Sequence, residues 1–175
     1  MKKQRLSILR LFLNSIAIIS IVALFMSCST GESGELKTVA KAAPALSRPD
    51  LDGNTVDLSK YEGKVVLVDF WATWCPPCRR SIPHLIDLHN KYADQGFSVV
   101  GVSLDTKPPA EVAKFVSNFG IPYPVVMGDQ QLARQWKLGN SIPAAYLVDR
   151  DGKIVDKIVG YKDQNFYENL IKQYL

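Results

Sequence analysis

Two cysteines three positions apart, in Trp74-Cys75-Pro76-Pro77-Cys78, follow the apolar run of residues 65–70 and precede a stretch with helical patterning. In a strand-to-helix setting this C-x-x-C spacing is a redox signature. If Cys75 ends the loop and Cys78 lies in the first helical turn, the two side chains share one face and can close a small disulfide ring. Such a pair suits exchange better than stapling. A static disulfide, or one half of a zinc site, would use the same two residues.

Residues 1–27 are not fold material. Lys2, Lys3, Arg5 and Arg10 occur there without an acid, and residues 11–25 are almost unbroken Leu, Ile, Val, Ala and Phe. This is the basic head and apolar centre of a secretory signal. The apolar run is shorter than the roughly 20 residues of a spanning helix, so an uncleaved signal helix is the weaker reading of the anchor. The run closes on Leu24-Phe25-Met26-Ser27-Cys28. A small residue followed at once by cysteine resembles the lipobox of bacterial lipoproteins, which implies cleavage before Cys28 and acylation of that cysteine. Phe25 stands where an aliphatic is usual, and an ordinary signal peptide with a free cysteine nearby is the alternative. With three cysteines in the chain, one lipidated and two paired leaves no orphan thiol in an oxidising compartment.

The whole chain carries 21 basic and 17 acidic residues; four basic residues and no acids belong to the signal, which leaves 17 of each and a formally neutral mature protein. A nucleic-acid footprint and a polybasic membrane surface are therefore not expected. Residues 28–43, rich in Ser, Gly, Thr, Lys and Ala, read as a flexible tether, and residues 44–175 as one domain.

Within that domain Asp52-Gly53 predicts a hairpin turn before Thr55-Val56-Asp57-Leu58. Residues 65–70 and 97–104 predict strands buried on both faces, with a helix between them ending near Gln95-Gly96. Pro108-Pro109 opens a further helix stopped by Gly120 and Pro122. A strand over 125–127, a short helix over 130–138, strands over 144–148 and 153–159, and an amphipathic helix over 165–174 complete the pattern. It predicts a three-layer α/β domain with a mixed central sheet, helices on both faces and an N-terminal hairpin.

Val68-Asp69-Phe70-Trp71-Ala72-Thr73-Trp74-Cys75-Pro76-Pro77-Cys78-Arg79, with Ile142-Pro143 and the turn over 149–152, resembles the thioredoxin superfamily. The lipobox and the inserted helix-strand unit over 109–127 resemble its TlpA/ResA-like extracytoplasmic branch. The resemblance implies a thioredoxin-like fold and a thiol-disulfide oxidoreductase that needs no cofactor beyond its cysteine pair. Cys75, at a helix N-terminus where thiolate is favoured, is the expected attacking thiol, and Cys78 the resolving one. Pro76 and Pro77 lack N–H groups, so the Cys75 sulfur can take a local backbone bond only from about Cys78 onward, and a reducing potential is expected. Asp69 matches the buried acid of thioredoxin that exchanges protons with the resolving thiol; the bland alternative is a strand-end acid paired with a nearby Lys. Branch members carry a glutamate six residues after the first cysteine, where this chain has Ser81. Pro143, after Ile142, matches the superfamily's cis-proline beside a docking edge for extended substrates. Ala144 replaces a common threonine there.

Trp74 is expected to cover Cys75 and contact substrate, Trp71 to pack, and Pro83 to kink the first helix. Arg79 and Arg80 either lower the Cys75 pKa or are simply solvated. His84 and His89 could join the cysteines in a metal site, but their spacing does not share a helical face, and none is assigned. The expected partners are disulfide-containing proteins outside the cytoplasm, apocytochrome c haem-binding cysteines among them, and a membrane thiol electron donor, with the protein a lipid-anchored monomer. In a two-membrane host it would lie on the periplasmic side. A peroxiredoxin-type thiol peroxidase and a copper metallochaperone are the alternatives; the first wants Thr-x-x-Cys, whereas Thr73 is two residues before Cys75.

Overall fold

A computed structural model describes residues 41–175. The signal over 1–27, Cys28 and most of the tether expected over 28–43 lie outside the described residues. Among the described residues eight strands and four α-helices follow in the order β1 (Lys41–Ala42), β2 (Ser47–Pro49), β3 (Thr55–Asp57), β4 (Val65–Trp71), α1 (Pro76–Tyr92), β5 (Phe97–Ser103), α2 (Pro109–Phe119), β6 (Val125–Met127), α3 (Gln130–Gln135), β7 (Ala144–Val148), β8 (Lys153–Val159) and α4 (Gln164–Ile171). Six strands form one sheet in the order β1-β8-β7-β4-β5-β6, and β2 and β3 make a separate hairpin. The pairs β4–β5 and β5–β6 are parallel; β4–β7, β7–β8 and β1–β8 are antiparallel.

Every residue of β4 and β5 is buried, as their unbroken apolar runs predict for strands covered on both faces. Alternation divides their side chains between two layers. Val65, Leu67, Trp71 and Val99 pack with Ile82, Leu85 and Leu88 of α1, Val112 of α2 and Tyr167 and Ile171 of α4. Val66, Val68, Phe70, Val100 and Val102 pack on the other face with Leu132 of α3, Trp136, and Leu46 and Val56 of the hairpin region. Each such side chain contributes roughly 1.5–3 kcal/mol by leaving water. The mixed sheet, the helices on both faces, the hairpin and the inserted α2–β6 unit are as the sequence predicts.

Three boundaries differ. The sheet begins at Lys41, inside the segment read as tether, because Lys41 and Ala42 pair with Ile154 and Lys153 on the edge of β8. The third helix stops at Gln135 rather than 138: Lys137 turns left-handed at φ 48°, and the Leu138 N–H donates back to the Ala133 carbonyl at 2.9 Å. That 6→1 bond is a Schellman ending made without the usual glycine, so no residue flagged it in advance. The last helix runs over 164–171, with turns beyond it.

The edge of β5 carries a histidine cap. Because β6 pairs only with Gly101, Val102 and Ser103, the Val99 N–H has no strand partner on that side and donates instead to His89 Nδ1 of α1 at 3.2 Å. Partial burial holds the His89 pKa below its ordinary 6.5. A depressed histidine pKa means that the unfolded chain binds the proton more readily, so the stability it contributes is complete above 6.5 and is lost as pH falls through the folded value. His89→Ala should lower unfolding free energy by about 1 kcal/mol, the penalty of one unpaired buried donor. It should also flatten the fall in stability below pH 6.5, and denaturant titrations across pH check both.

Candidate active site

The parallel strands β4 and β5 end side by side, and the loops leaving their carboxyl ends build the site. The loop after β4 is held from β5. Asp105, 5% exposed, accepts the Thr73 N–H at 2.9 Å, the Thr73 hydroxyl at 2.6 Å and the Ser103 hydroxyl at 2.8 Å. The Leu104 N–H donates to the Trp71 carbonyl at 2.8 Å. These bonds hold Trp71 and Thr73 ahead of Cys75, whose own N–H donates to the Ala72 carbonyl.

Cys75 is the N-cap of α1, Pro76 and Pro77 form its first positions, and Cys78 lies one turn in. The two cysteines are joined as a disulfide with Cα atoms 5.3 Å apart. Since neither proline offers an N–H, the first nearby helical donor is that of Cys78, which reaches the Cys75 sulfur at 3.3 Å. Exposure hardly separates the two cysteines, at 3% and 1%; position does. Cys75 Sγ lies 3.8 Å from the Ile142 carbonyl oxygen, and the following peptide bond, Ile142–Pro143, is cis. Pro143 is buried, and its carbonyl accepts the Gly160 N–H at 2.8 Å. Pro76 is exposed and Pro77 half-buried.

Beside this junction is a groove of about 520 Å³ lined by Trp74, Leu104, Ala133, Leu138 and Ile142, with Asn140 and Ser141 among its polar members. Trp74 is 62% exposed and forms a wall of the groove. Trp71 packs in the core against Phe115, as expected.

Asp69 stands in β4 on the face that carries Val65, Leu67 and Trp71, the layer to which Cys75 and Cys78 also belong. Its register partners are Gly101 and Ala145, both small. The side chain is buried, Oδ1 has no hydrogen-bond partner, and burial pushes the carboxyl up to about 7. The strand-end acid paired with Lys is thereby excluded. Ser81, where the branch has glutamate, is buried and its hydroxyl donates to the Pro77 carbonyl at 3.3 Å. Pro83 lies inside α1, as its sequence position predicts.

The arginines and histidines are engaged separately. Arg79 lies over the Phe115 and Phe119 rings and Arg80 over the Tyr161 ring. His84 Nε2 is 3.2 Å from the Tyr161 hydroxyl, while His89 serves Val99, so the two histidines do not meet at the cysteines. Thr73, considered for a peroxidase pattern, gives its hydroxyl to Asp105.

A cysteine pair at a helix start beside a cis-proline, over a buried acid, defines a thioredoxin-type exchange site. The Redoxin family profile matches residues 38–174, and the chain belongs to that family. It is 32% identical over 163 residues to the thiol-disulfide oxidoreductase ResA of Geobacillus kaustophilus, covering 91% of each chain. It is 31% identical over 140 residues to the ResA protein of Bacillus anthracis, covering 79% of this chain and 80% of that one. Among solved structures, a thiol:disulfide interchange protein of the thioredoxin family from Chlorobium tepidum superposes with a TM-score of 0.72 at 29% identity, over 77% of this chain and 96% of that one.

Sequence reasoning missed Asp105, Leu104, Leu138 and Tyr161. Asp105 had a usable signal, being the acid just beyond the carboxyl end of a buried strand next to the cysteine loop. Leu138 had none, since it read as the tail of a helix. Asp105→Ala strands the Thr73 N–H and two hydroxyls, so a loss on the order of 2 kcal/mol in unfolding free energy is expected. Disulfide exchange should slow by roughly tenfold as Cys75 loses its position. Chemical denaturation and stopped-flow reduction of a peptide disulfide measure the two effects.

Proposed function

We propose that this chain is a membrane-tethered thiol-disulfide oxidoreductase that reduces protein disulfides outside the cytoplasm. The observation that carries the reading is the 3.8 Å approach of Cys75 Sγ to the Ile142 carbonyl. It supports a reading in which Cys75 is the attacking sulfur and the backbone at Ile142 is an edge on which an extended substrate segment can pair. The groove walled by Trp74 and Ile142 adjoins that edge and offers apolar surface to a neighbouring substrate side chain.

In the reduced protein the Cys75 thiolate attacks one sulfur of a substrate disulfide. The substrate S–S bond breaks, its second sulfur leaves as a thiolate that takes a proton from water, and Cys75 is joined to the substrate. Cys78 then gives its proton to the Asp69 carboxylate and attacks Cys75 Sγ. The mixed disulfide breaks, and the first substrate sulfur leaves and is protonated in turn. The substrate has gained two electrons and two protons, and the protein holds the Cys75–Cys78 disulfide. Asp69 is matched to this role because a carboxyl titrating at about 7 both accepts and returns a proton near neutrality. Ser81 cannot replace it.

One backbone donor at the Cys75 sulfur, where a helix without these prolines offers more, leaves the thiolate weakly stabilised and supports a reducing direction. No cofactor besides the cysteine pair takes part, and a membrane dithiol donor of two electrons returns the protein to its reduced form. Cys28, as the lipidated residue behind the signal at 1–27, ties the domain to the outer face of the cytoplasmic membrane or to the periplasmic side in a two-membrane host. Oxidised haem-binding cysteines of apocytochromes c fit the site as substrates, alongside other oxidised envelope proteins.

Cys78→Ser leaves the first step intact and removes the second. In cells, this variant should accumulate mixed disulfides through Cys75 in the membrane fraction, and mass spectrometry of the purified protein should find an acylated Cys28 at its N-terminus. Absence of adducts with Cys78→Ser would overturn the exchange reading; an unacylated Cys28 would overturn the lipid tether.

A further inference from the structure

Asp69 projects from β4 on the face that carries the cysteine layer, with β5 beside it and β6 beyond. Its register partner on β5 is Gly101. A Cβ at that position would lie 3.1 Å from Trp71 Nε1, 3.1 Å from Val125 Cγ2 and 3.5 Å from Tyr123 Cε2. The space that a side chain beside Asp69 would occupy is therefore roofed by the Trp71 and Tyr123 rings and Val125. Tyr123 is 4% exposed and stands between Pro122 and Pro124, which restrict its backbone. The Gly101 N–H donates to the Pro124 carbonyl at 2.9 Å and locks that segment onto β5. The His89 ring meets the Tyr123 ring edge-on, with centroids 5.6 Å apart. Tyr123 also lines a cleft of about 410 Å³ whose other walls include Asp50, Asp52, Ser117 and Pro122. Leu51, Val116 and Ile121 line it too, but Asp52 and Ser117 are exposed, so water reaches the cleft. One ring thus stands between water on the β6 side and the space beside the carboxyl.

We propose that Tyr123, folded over Gly101, is a positioning residue for the exchange reaction, its ring sealing the rear of the Asp69 pocket against water from the cleft. The proposal rests on the reading of Asp69 as the proton carrier. Among the described residues, Tyr123 from the segment before β6 and Tyr167 from α4 feel the Asp69 charge, and the cysteines of α1, here joined as a disulfide, share its layer. Both tyrosines are pushed above their ordinary value, by burial first and by the Asp69 charge second. Burial is the cause of the Asp69 shift, so the carboxyl depends on being kept dry more than on any partner. A seal acts through the ring, whereas a relay would act through the hydroxyl, and the two are separable.

The test is a ¹³C-carboxyl NMR titration of Asp69 in the oxidised protein, for wild type, Tyr123→Phe, Tyr123→Leu and Tyr123→Ala. The leucine variant guards against loss of fold in the alanine one. The wild type and Tyr123→Phe should titrate together near 7, while Tyr123→Leu and Tyr123→Ala should fall by about one pH unit or more as water enters. Leucine and alanine variants that still titrate with the wild type would overturn the seal. So would a Tyr123→Phe variant that falls as far as Tyr123→Ala, since the hydroxyl would then be the active part. A wild-type carboxyl already titrating near its ordinary 3.8 would remove the proton-carrier reading itself, and the seal with it.

Discussion

Asp69 interrupts the buried strand β4 with a carboxyl whose Oδ1 no donor reaches. Its displacement from 3.8 to about 7 means that the charged form is disfavoured inside the protein by on the order of 4 kcal/mol. The sign of the linkage follows from the raised value. The unfolded chain releases this proton first, so the acid's contribution is most favourable below 3.8, is eroded as pH rises through about 7, and is a constant penalty above it. An amide or apolar residue would not carry that penalty. In the proposed mechanism the return is chemical: a proton acceptor near neutrality in the same layer as Cys78.

The rest of the architecture makes that position tenable. β4 is flanked by β5 and β7, and the residues beside Asp69 are Gly101 and Ala145, so neither neighbour crowds the carboxyl. The parallel pair β4–β5 delivers both loops to one end of the sheet, where Asp105 from the second holds Thr73 in the first. The antiparallel β7 brings Ile142–Pro143 to the same end, from 67 residues away in sequence. Cys75, Cys78, Ile142 and Asp105 meet because the ends of central strands meet, while Asp69 lies two residues inside the last position of β4.

Much of this was legible beforehand for identifiable reasons. Unbroken apolar runs marked β4 and β5, and Gly96 and Gly120, both left-handed here, ended segments where the sequence placed their stops. The cysteine spacing marked the helix start, and the missing N–H groups of Pro76 and Pro77 foretold the single bond from Cys78. The parts that were not legible depend on long-range neighbours. Lys137 takes a conformation usually left to glycine, and the Trp74 wall exists only once Leu104, Leu138 and Ile142 converge. Likewise, nothing in Gly101 or Tyr123 taken singly announces that one roofs the other. Asp69 is the intermediate case: an acid in an apolar run is visible in the sequence, but that its Oδ1 finds no donor is a property of the fold.

The central claim is that Asp69 takes the Cys78 proton when the mixed disulfide is resolved. It is tested most directly in a single turnover, with a chromophoric thiol loaded on Cys75 and its release by Cys78 followed across pH. The wild type should show an inflection near 7. Asp69→Asn should lose the inflection, run slower by roughly tenfold or more near neutrality, and converge with the wild type in alkali, where Cys78 ionises unaided. An Asp69→Asn profile that overlays the wild type across the whole range would contradict the account.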